Sequence, residues 1–241
     1  MVDYDAKIAS NPPYLTEQGL SSYMYHLQQA MGILGGTFDP IHFGHLRTAL
    51  ELYQTLDLAA VKFIPCYQPV HRKLPIASPE QRLAMVRCAI ADEPALQCDD
   101  CEIQRQGPSY MIDTLEKLRE KHPNTPFCLI MGIDALLGFP SWHRYEEILK
   151  MAHLVIAHRP HYQLPHTGTV AELLKHRLVH HAIALHDSLA GNILLHPVTA
   201  LEISATEIRR QIAMGGNPRY LLPDSVYGYV QEHGVYSISH I

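Results

Sequence analysis

The sequence predicts an α/β protein with a doubly wound, mostly parallel β-sheet. Short apolar runs alternate with segments of helical apolar spacing from Met31 onward, and this alternation is typical of a parallel sheet covered by helices on both faces. Several apolar runs stop at glycine, proline or aspartate, which are residues that commonly end strands. Right-handed crossovers between such strands give a Rossmann-like sheet, in which ligands bind beyond the carboxyl ends of the strands.

The first predicted strand and helix flank a glycine-rich turn. The run MGILGG, which begins at Met31, is short and apolar and ends at glycine, as a buried strand does. The segment HFGHLRTALELYQTL follows it and has the apolar spacing of one helix face, at Leu46, Ala49, Leu50, Tyr53 and Leu56.

The middle of the chain continues the alternation. AVKFIPC is predicted to be a strand that stops at Pro65, and SPEQRLAMVRCAIAD a helix with Ser78 as its N-cap and Pro79 in its first position. CEIQRQ is predicted to be a further strand, and SYMIDTLEKLREKH a helix that ends before Pro123.

The last part of the chain adds three strands and three helices. The predicted strands are PFCLIMGID, AHLVIAHRP and NILLHPV, and SWHRYEEILKM is predicted to be the helix after the first of them. SATEIRRQIAMGG is predicted to be a helix capped by Ser204, with Glu207 three residues later, and PDSVYGYVQEHG is the final helix. Between residues 160 and 191 only VAELLKHRLVHH has a helical pattern.

Length and composition limit the classes of function. The chain has 241 residues, which suits one large α/β domain, and we expect residues 31–241 to form it and the turn-rich residues 1–30 to be an N-terminal extension. A formal net charge of −5 argues against nucleic acid as a partner. No apolar run reaches the ~18 residues of a membrane span, and the first residues lack the pattern of a secretory signal.

The cysteines indicate a reducing compartment. There are five, an odd and sparse number for this length, so we expect a cytoplasmic protein without disulfides. Cys98 and Cys101 form one C-x-x-C without a second pair nearby, which disfavours a zinc site. The oligomeric state is not readable from the sequence.

The stretch GILGGTFDPIHFGHL, from Gly32 to Leu46, is the most specific local signal. It is neither a Walker A loop nor G-x-G-x-x-G, but its glycines let backbone N–H groups approach an anion, and a threonine hydroxyl follows them. His42 and His45 lie three residues apart at a predicted helix start, where free N–H groups and the helix dipole attract phosphate. Surface or capping histidines, or half of a metal site, are the alternatives, although H-E-x-x-H is absent.

Two motifs resemble the nucleotidyltransferase superfamily that bears an H-x-G-H signature. GGTFDPIHFGH is similar to its first motif and ISATEIR to its second. PSYMIDTL, MGIDALLGFPSWHRYEEIL and HRP are similar to the bacterial nicotinate mononucleotide adenylyltransferases. The resemblance runs from Met31 to the C-terminus and implies a Rossmann-like nucleotidyltransferase fold.

The resemblance implies transfer of the adenylyl group from ATP to nicotinate mononucleotide, with Mg²⁺ bound to the ATP. It implies catalytic roles for His42, His45 and Arg209. The implied ATP-binding residues are Gly35, Gly36, Thr37, Phe38, Gly132, Asp134, Ile203, Ser204 and Thr206. The implied mononucleotide-binding residues are His71, Arg72, Met111, Trp142, His143 and Arg159, and no residue is assigned to a metal.

The chain departs from the family's usual pattern in three places, two of which lie around the pyridine pocket. Met111 stands where a threonine is usual, His143 where a tyrosine is common, and Cys66 and Tyr67 where two asparagines are frequent. The alternatives are a phosphopantetheine adenylyltransferase, another H-x-G-H nucleotidyltransferase such as a cytidylyltransferase, or a nucleotide-binding regulator without catalysis. The segment that contains Trp142 argues against the first two, and the presence of both histidines argues against the third.

Overall fold

The computed structural model describes residues 29–70, 74–158, 164–199 and 201–237. Most of the predicted N-terminal extension, residues 1–28, lies outside this part of the chain. His71, Arg72 and Arg159 lie outside it too. No helix within the described residues is long and apolar enough to cross a membrane.

Seven parallel strands form one sheet in the order β3-β2-β1-β4-β5-β7-β6. The strands are β1 (Met31–Gly36), β2 (Ala60–Pro65), β3 (Leu96–Cys98), β4 (Phe127–Gly132), β5 (His153–His158), β6 (Leu178–Val179) and β7 (Ile193–Pro197). The strand order reverses at β1, because β2 pairs with one of its edges and β4 with the other. The predicted doubly wound, Rossmann-like fold is therefore confirmed.

Nine α-helices within the described residues connect and cover these strands. They are α1 (Phe43–Thr55), α2 (Pro79–Ile90), α3 (Cys101–Arg105), α4 (Met111–Lys121), α5 (Ile133–Gly138), α6 (Tyr145–Met151), α7 (Thr169–Arg177), α8 (Ala205–Ala213) and α9 (Asp224–Glu232). The predicted N-caps are confirmed: the Ser78 hydroxyl accepts from the Gln81 amide at 3.2 Å, and the Ser204 hydroxyl accepts from the Glu207 amide at 3.1 Å.

The prediction of a strand over CEIQRQ is wrong, because this segment is the short helix α3. The strand precedes it and is only three residues long. The Asp99 carboxylate accepts from the Cys101 amide at 3.0 Å, which turns the chain out of the sheet. Cys101 and Glu102, the first two residues of this helix, are both buried.

Both faces of the sheet are covered, as expected. Consecutive residues of β4 belong to opposite clusters: Cys128 and Ile130 pack on one face, and Leu129 and Met131 on the other. All four are at most 5% exposed, so the strand is buried on both sides, as its continuous apolar run predicts.

Candidate active site

A cavity of about 920 Å³ opens at the carboxyl ends of β1 and β4. The strand order reverses at β1, and open α/β sheets bind ligands at such a reversal point. Fourteen of the residues predicted from the sequence line it: Gly35, Gly36, Thr37, Phe38, His42, His45, Met111, Gly132, Asp134, Trp142, His143, Ser204, Thr206 and Arg209.

The loop after β1 is tight enough to require glycine. A side chain on Gly36 would place its Cβ 2.8 Å from the Phe38 ring, and Phe38 itself has a positive φ of 51°. The Phe38 ring meets the His45 ring edge-on at a centroid distance of 5.2 Å. The glycine thus lets the phenylalanine fold back beneath the loop and support one of the two histidines.

His42 and His45 stack on each other at the start of α1. Their ring centroids are 3.8 Å apart at an angle of 26°, and the His42 amide donates to the Nδ1 atom of His45 at 3.3 Å. His42 is only 6% exposed, and burial lowers the pKa of its imidazole to about 4. The ring is therefore neutral near pH 7 and keeps one N–H donor, while its Nδ1 atom has no hydrogen-bond partner in the described structure.

We expect this depressed pKa to make folding sensitive to acid. His42 in the unfolded chain takes up a proton near pH 6.5, but in the folded chain only near pH 4, so stability falls as the pH drops between these values. The full loss is about 3 kcal/mol. In urea unfolding, the free energy of unfolding should fall less between about pH 7 and about pH 4.5 for His42→Asn than for the parent. Equal falls in the two proteins would contradict this prediction.

Arg209 joins the start of α8 to the loop after β1. Its Nη1 atom donates to the backbone carbonyl of Asp39 at 2.6 Å, and its Nη2 atom donates to the Thr206 hydroxyl at 3.2 Å. Ser204 caps the same helix. The two helix starts singled out in the sequence therefore face one cavity, the first with two imidazoles and the second with a guanidinium and two hydroxyls.

Aromatic side chains also line the cavity. Trp142 packs on Phe139 with ring centroids 5.5 Å apart, and His143 packs on Tyr110 at 4.5 Å. The flexible thioether of Met111 packs directly against Gly35, since a Cβ atom on that glycine would lie only 2.6 Å from the Met111 Cε atom. This part of the cavity offers flat apolar surfaces, which suit an aromatic ring.

One predicted residue within the described part of the chain does not line the cavity. Ile203 packs against the buried cluster on one face of the sheet, because the chain turns into α8 there and leaves its apolar side chain facing the core.

Sequence reasoning missed several buried polar residues beside the cavity. Arg82 on α2 is fully buried and donates to the carbonyl of Thr37 at 2.7 Å. Glu102 is 4% exposed, accepts from the Thr114 hydroxyl at 2.6 Å, and has a pKa raised by burial. Asp39 is buried as well, and the Tyr236 hydroxyl donates to its carboxylate at 2.7 Å. The arginine among the apolar residues of its helix was a signal available for Arg82, whereas the mostly polar segment CEIQRQ offers no such signal for Glu102.

Comparison with known proteins identifies the family. The cytidylyltransferase-like family model matches residues 33–211. The chain is 49% identical over 210 residues to a protein of Aeromonas salmonicida named "Probable nicotinate-nucleotide adenylyltransferase", covering 87% of this chain and 98% of that protein. This chain belongs to the nicotinate-nucleotide adenylyltransferase family. A family member from Methylococcus capsulatus with the same name is 41% identical over 208 residues, covering 86% of this chain and 99% of that protein.

Solved structures agree on the fold of this nicotinate-nucleotide adenylyltransferase family member. The Plasmodium falciparum nicotinic acid mononucleotide adenylyltransferase complexed with NaAD superposes with a TM-score of 0.67 at 18% identity, covering 86% of this chain and 97% of that one. The same parasite enzyme complexed with APC gives a TM-score of 0.64 at 19% identity, with the same coverage.

Proposed function

We propose that this chain transfers the adenylyl group of ATP to nicotinate mononucleotide, which gives nicotinate adenine dinucleotide and pyrophosphate, a step of NAD biosynthesis. The observation that carries the proposal is that one cavity is lined by two helix starts, which bear imidazole, hydroxyl and guanidinium groups, and by Trp142. The names of the relatives support the same reaction.

The chemistry needs no protein nucleophile. A phosphate oxygen of the mononucleotide attacks the α-phosphorus of ATP, and the bond from that phosphorus to the bridging oxygen breaks as pyrophosphate leaves. The attacking group is already an anion, so positioning and charge stabilisation supply the rate. We assign the stabilisation to His42 and His45, whose stacked rings lie at the start of α1, together with the Gly36 amide and the Thr37 hydroxyl.

The remaining residues divide between the two ends of the nucleotides. Ser204, Thr206 and Arg209 would bind the outer phosphates from the start of α8, and Gly132 and Asp134 at the end of β4 would bind the adenosine. Trp142 would stack on the pyridine ring, a contact worth ~0.5–1.5 kcal/mol beyond its burial, with Met111 and His143 beside it. Roles in mononucleotide binding for His71, Arg72 and Arg159 stay predictions from the sequence.

Magnesium would enter with the triphosphate. No group of three or more histidine, cysteine, aspartate or glutamate residues within the described chain could hold a metal, and the cavity donors at the two helix starts suit phosphate oxygens. Phosphate oxygens and water would therefore hold the ion, and bound Mg²⁺ neutralises negative charge on the phosphates. All five cysteines are free thiols in the structure, and a cytoplasmic location for the enzyme stays a prediction from the sequence.

A pyrophosphate-release assay with ATP and Mg²⁺ tests the proposal. Nicotinate mononucleotide should support rapid release, and nicotinamide mononucleotide should support less. Release with phosphopantetheine instead would assign the chain to the other branch of the superfamily. ATP binding without release for any of these phosphates would identify a regulator without catalysis.

A further inference from the structure

Asp39 joins three segments that are far apart in the sequence. Its carboxylate is only 6% exposed. The Oδ1 atom accepts from the Ala77 amide at 3.1 Å and from the Tyr236 hydroxyl at 2.7 Å, and the Oδ2 atom accepts from the Ile76 amide at 3.0 Å. Tyr236, near the C-terminus, is fully buried, so Asp39 is held from the loop before α2 and from the end of the chain.

The same residue contacts the guanidinium of Arg209. The Nη1 atom donates to the Asp39 carbonyl at 2.6 Å and lies 3.6 Å from Oδ2 of its carboxylate. Thr206 accepts from the Nη2 atom on the other side at 3.2 Å. These contacts fix the plane of the guanidinium and use two of its five N–H groups, so the others remain for an anion in the cavity.

Asp39 is poorly suited to bind the nucleotide directly. Both of its oxygens already accept hydrogen bonds, and a carboxylate would repel the phosphates of ATP. Asp39 instead influences the site through its position in the chain, because His42 follows it by three residues. A group held rigidly at this position and bound to Arg209 sets the distance between the imidazoles and the guanidinium.

We propose that Asp39, held by Tyr236, is a positioning residue that fixes the guanidinium of Arg209 against His42 and His45. The proposal rests on the proposed adenylyl transfer, in which Arg209 binds the outer phosphates of ATP. A preorganised guanidinium binds an anion without first being ordered, and small misplacements of such groups are costly in rate.

A double-mutant cycle tests the proposal. The dissociation constant of ATP with Mg²⁺, measured by calorimetry, and the turnover are compared for the parent, Asp39→Asn, Arg209→Met and the double variant. Each single variant should weaken ATP binding about tenfold or more, as expected for a charged hydrogen bond. Because Asp39 acts through Arg209, the two losses should not multiply. The dissociation constant of ATP for the double variant should exceed that of the weaker-binding single variant by no more than about threefold. The KM for nicotinate mononucleotide should stay unchanged.

Arg210→Met is the matched control. Arg210 is adjacent to Arg209 on α8, but it faces solvent and forms an ion pair with Glu207 at 2.7 Å. The Arg210→Met protein should therefore bind ATP with the affinity of the parent. If Asp39→Asn does not fold, Tyr236→Phe replaces it in the cycle, since this change removes one hydrogen bond to Asp39 and keeps the ring. We expect Tyr236→Phe to weaken ATP binding severalfold, and only when Arg209 is present.

The outcomes separate this proposal from the proposed function. The positioning role would be overturned if the losses of ATP affinity multiply in the double variant. It would also be overturned by an unchanged ATP affinity in Asp39→Asn or in its replacement Tyr236→Phe. Both results would count against it even if the parent is fully active. ATP binding that follows the expected cycle without pyrophosphate release would overturn the proposed function and support the positioning role. A folded parent that does not bind ATP would overturn both.

Discussion

Replacement of His45 by alanine is expected to lower turnover about 10²–10³-fold, the loss typical of removing a donor that stabilises developing charge. The His45 ring stacks on His42 and meets Phe38 edge-on, so it is held in one place at the start of α1. Donors fixed before the reaction need no reorganisation as charge develops on the α-phosphoryl group. The measurement is turnover at saturating ATP and nicotinate mononucleotide.

The fold should survive this substitution, because His45 is only half-buried. His233→Ala is a suitable control. His233 also stacks on an aromatic ring, that of Tyr229 at a centroid distance of 4.1 Å, but it lies just after the end of α9 and does not line the cavity. That variant should keep the turnover of the parent. Parental turnover in a folded His45→Ala protein would remove the histidine from the mechanism.

The parts of the fold that could be predicted are those specified by neighbouring residues. The N-caps at Ser78 and Ser204 are visible because the cap and the amide that it accepts from lie three residues apart. The glycine-rich turn after β1 and the histidine pair at the start of α1 are also local. A parallel sheet then places the ends of β1 and β4 together, so a common site for distant motifs followed from topology.

The missed features depend on contacts between distant residues. Tyr236 lies 197 residues from Asp39, and nothing near either of them indicates that they form a hydrogen bond. Glu102 lies in a segment predicted to be a strand, whereas it is buried on a short helix and its partner Thr114 lies on another helix. Local periodicity does not show which polar residues a fold buries, because burial depends on the packing of other elements.

Arg82 is the buried polar residue whose removal should cost the most stability. It is fully buried, and its guanidinium donates to the carbonyl oxygens of Thr37, Tyr67 and Ala77 at 2.7, 3.1 and 3.3 Å. Arg82→Met would leave these acceptors without the donor, and each buried unsatisfied group costs about 1–3 kcal/mol. The relieved desolvation of the guanidinium offsets part of this cost, so the free energy of unfolding should fall by about 3 kcal/mol.

Urea unfolding of Arg82→Met, Arg82→Lys and Arg87→Met would measure this effect. Lysine should restore only part of the loss, because one ammonium group lacks the fork geometry that reaches several carbonyls. Arg87 lies on the same helix, but its ion pair with Asp100 is exposed, so that variant should change stability by less than about 1 kcal/mol. Equal effects of Arg82→Met and Arg87→Met would show that the carbonyl contacts contribute little. A larger loss for Arg82→Met than for Arg87→Met would instead tie the stability of the fold to the loop that we propose binds the phosphates, since the Arg82 guanidinium donates to the Thr37 carbonyl in that loop.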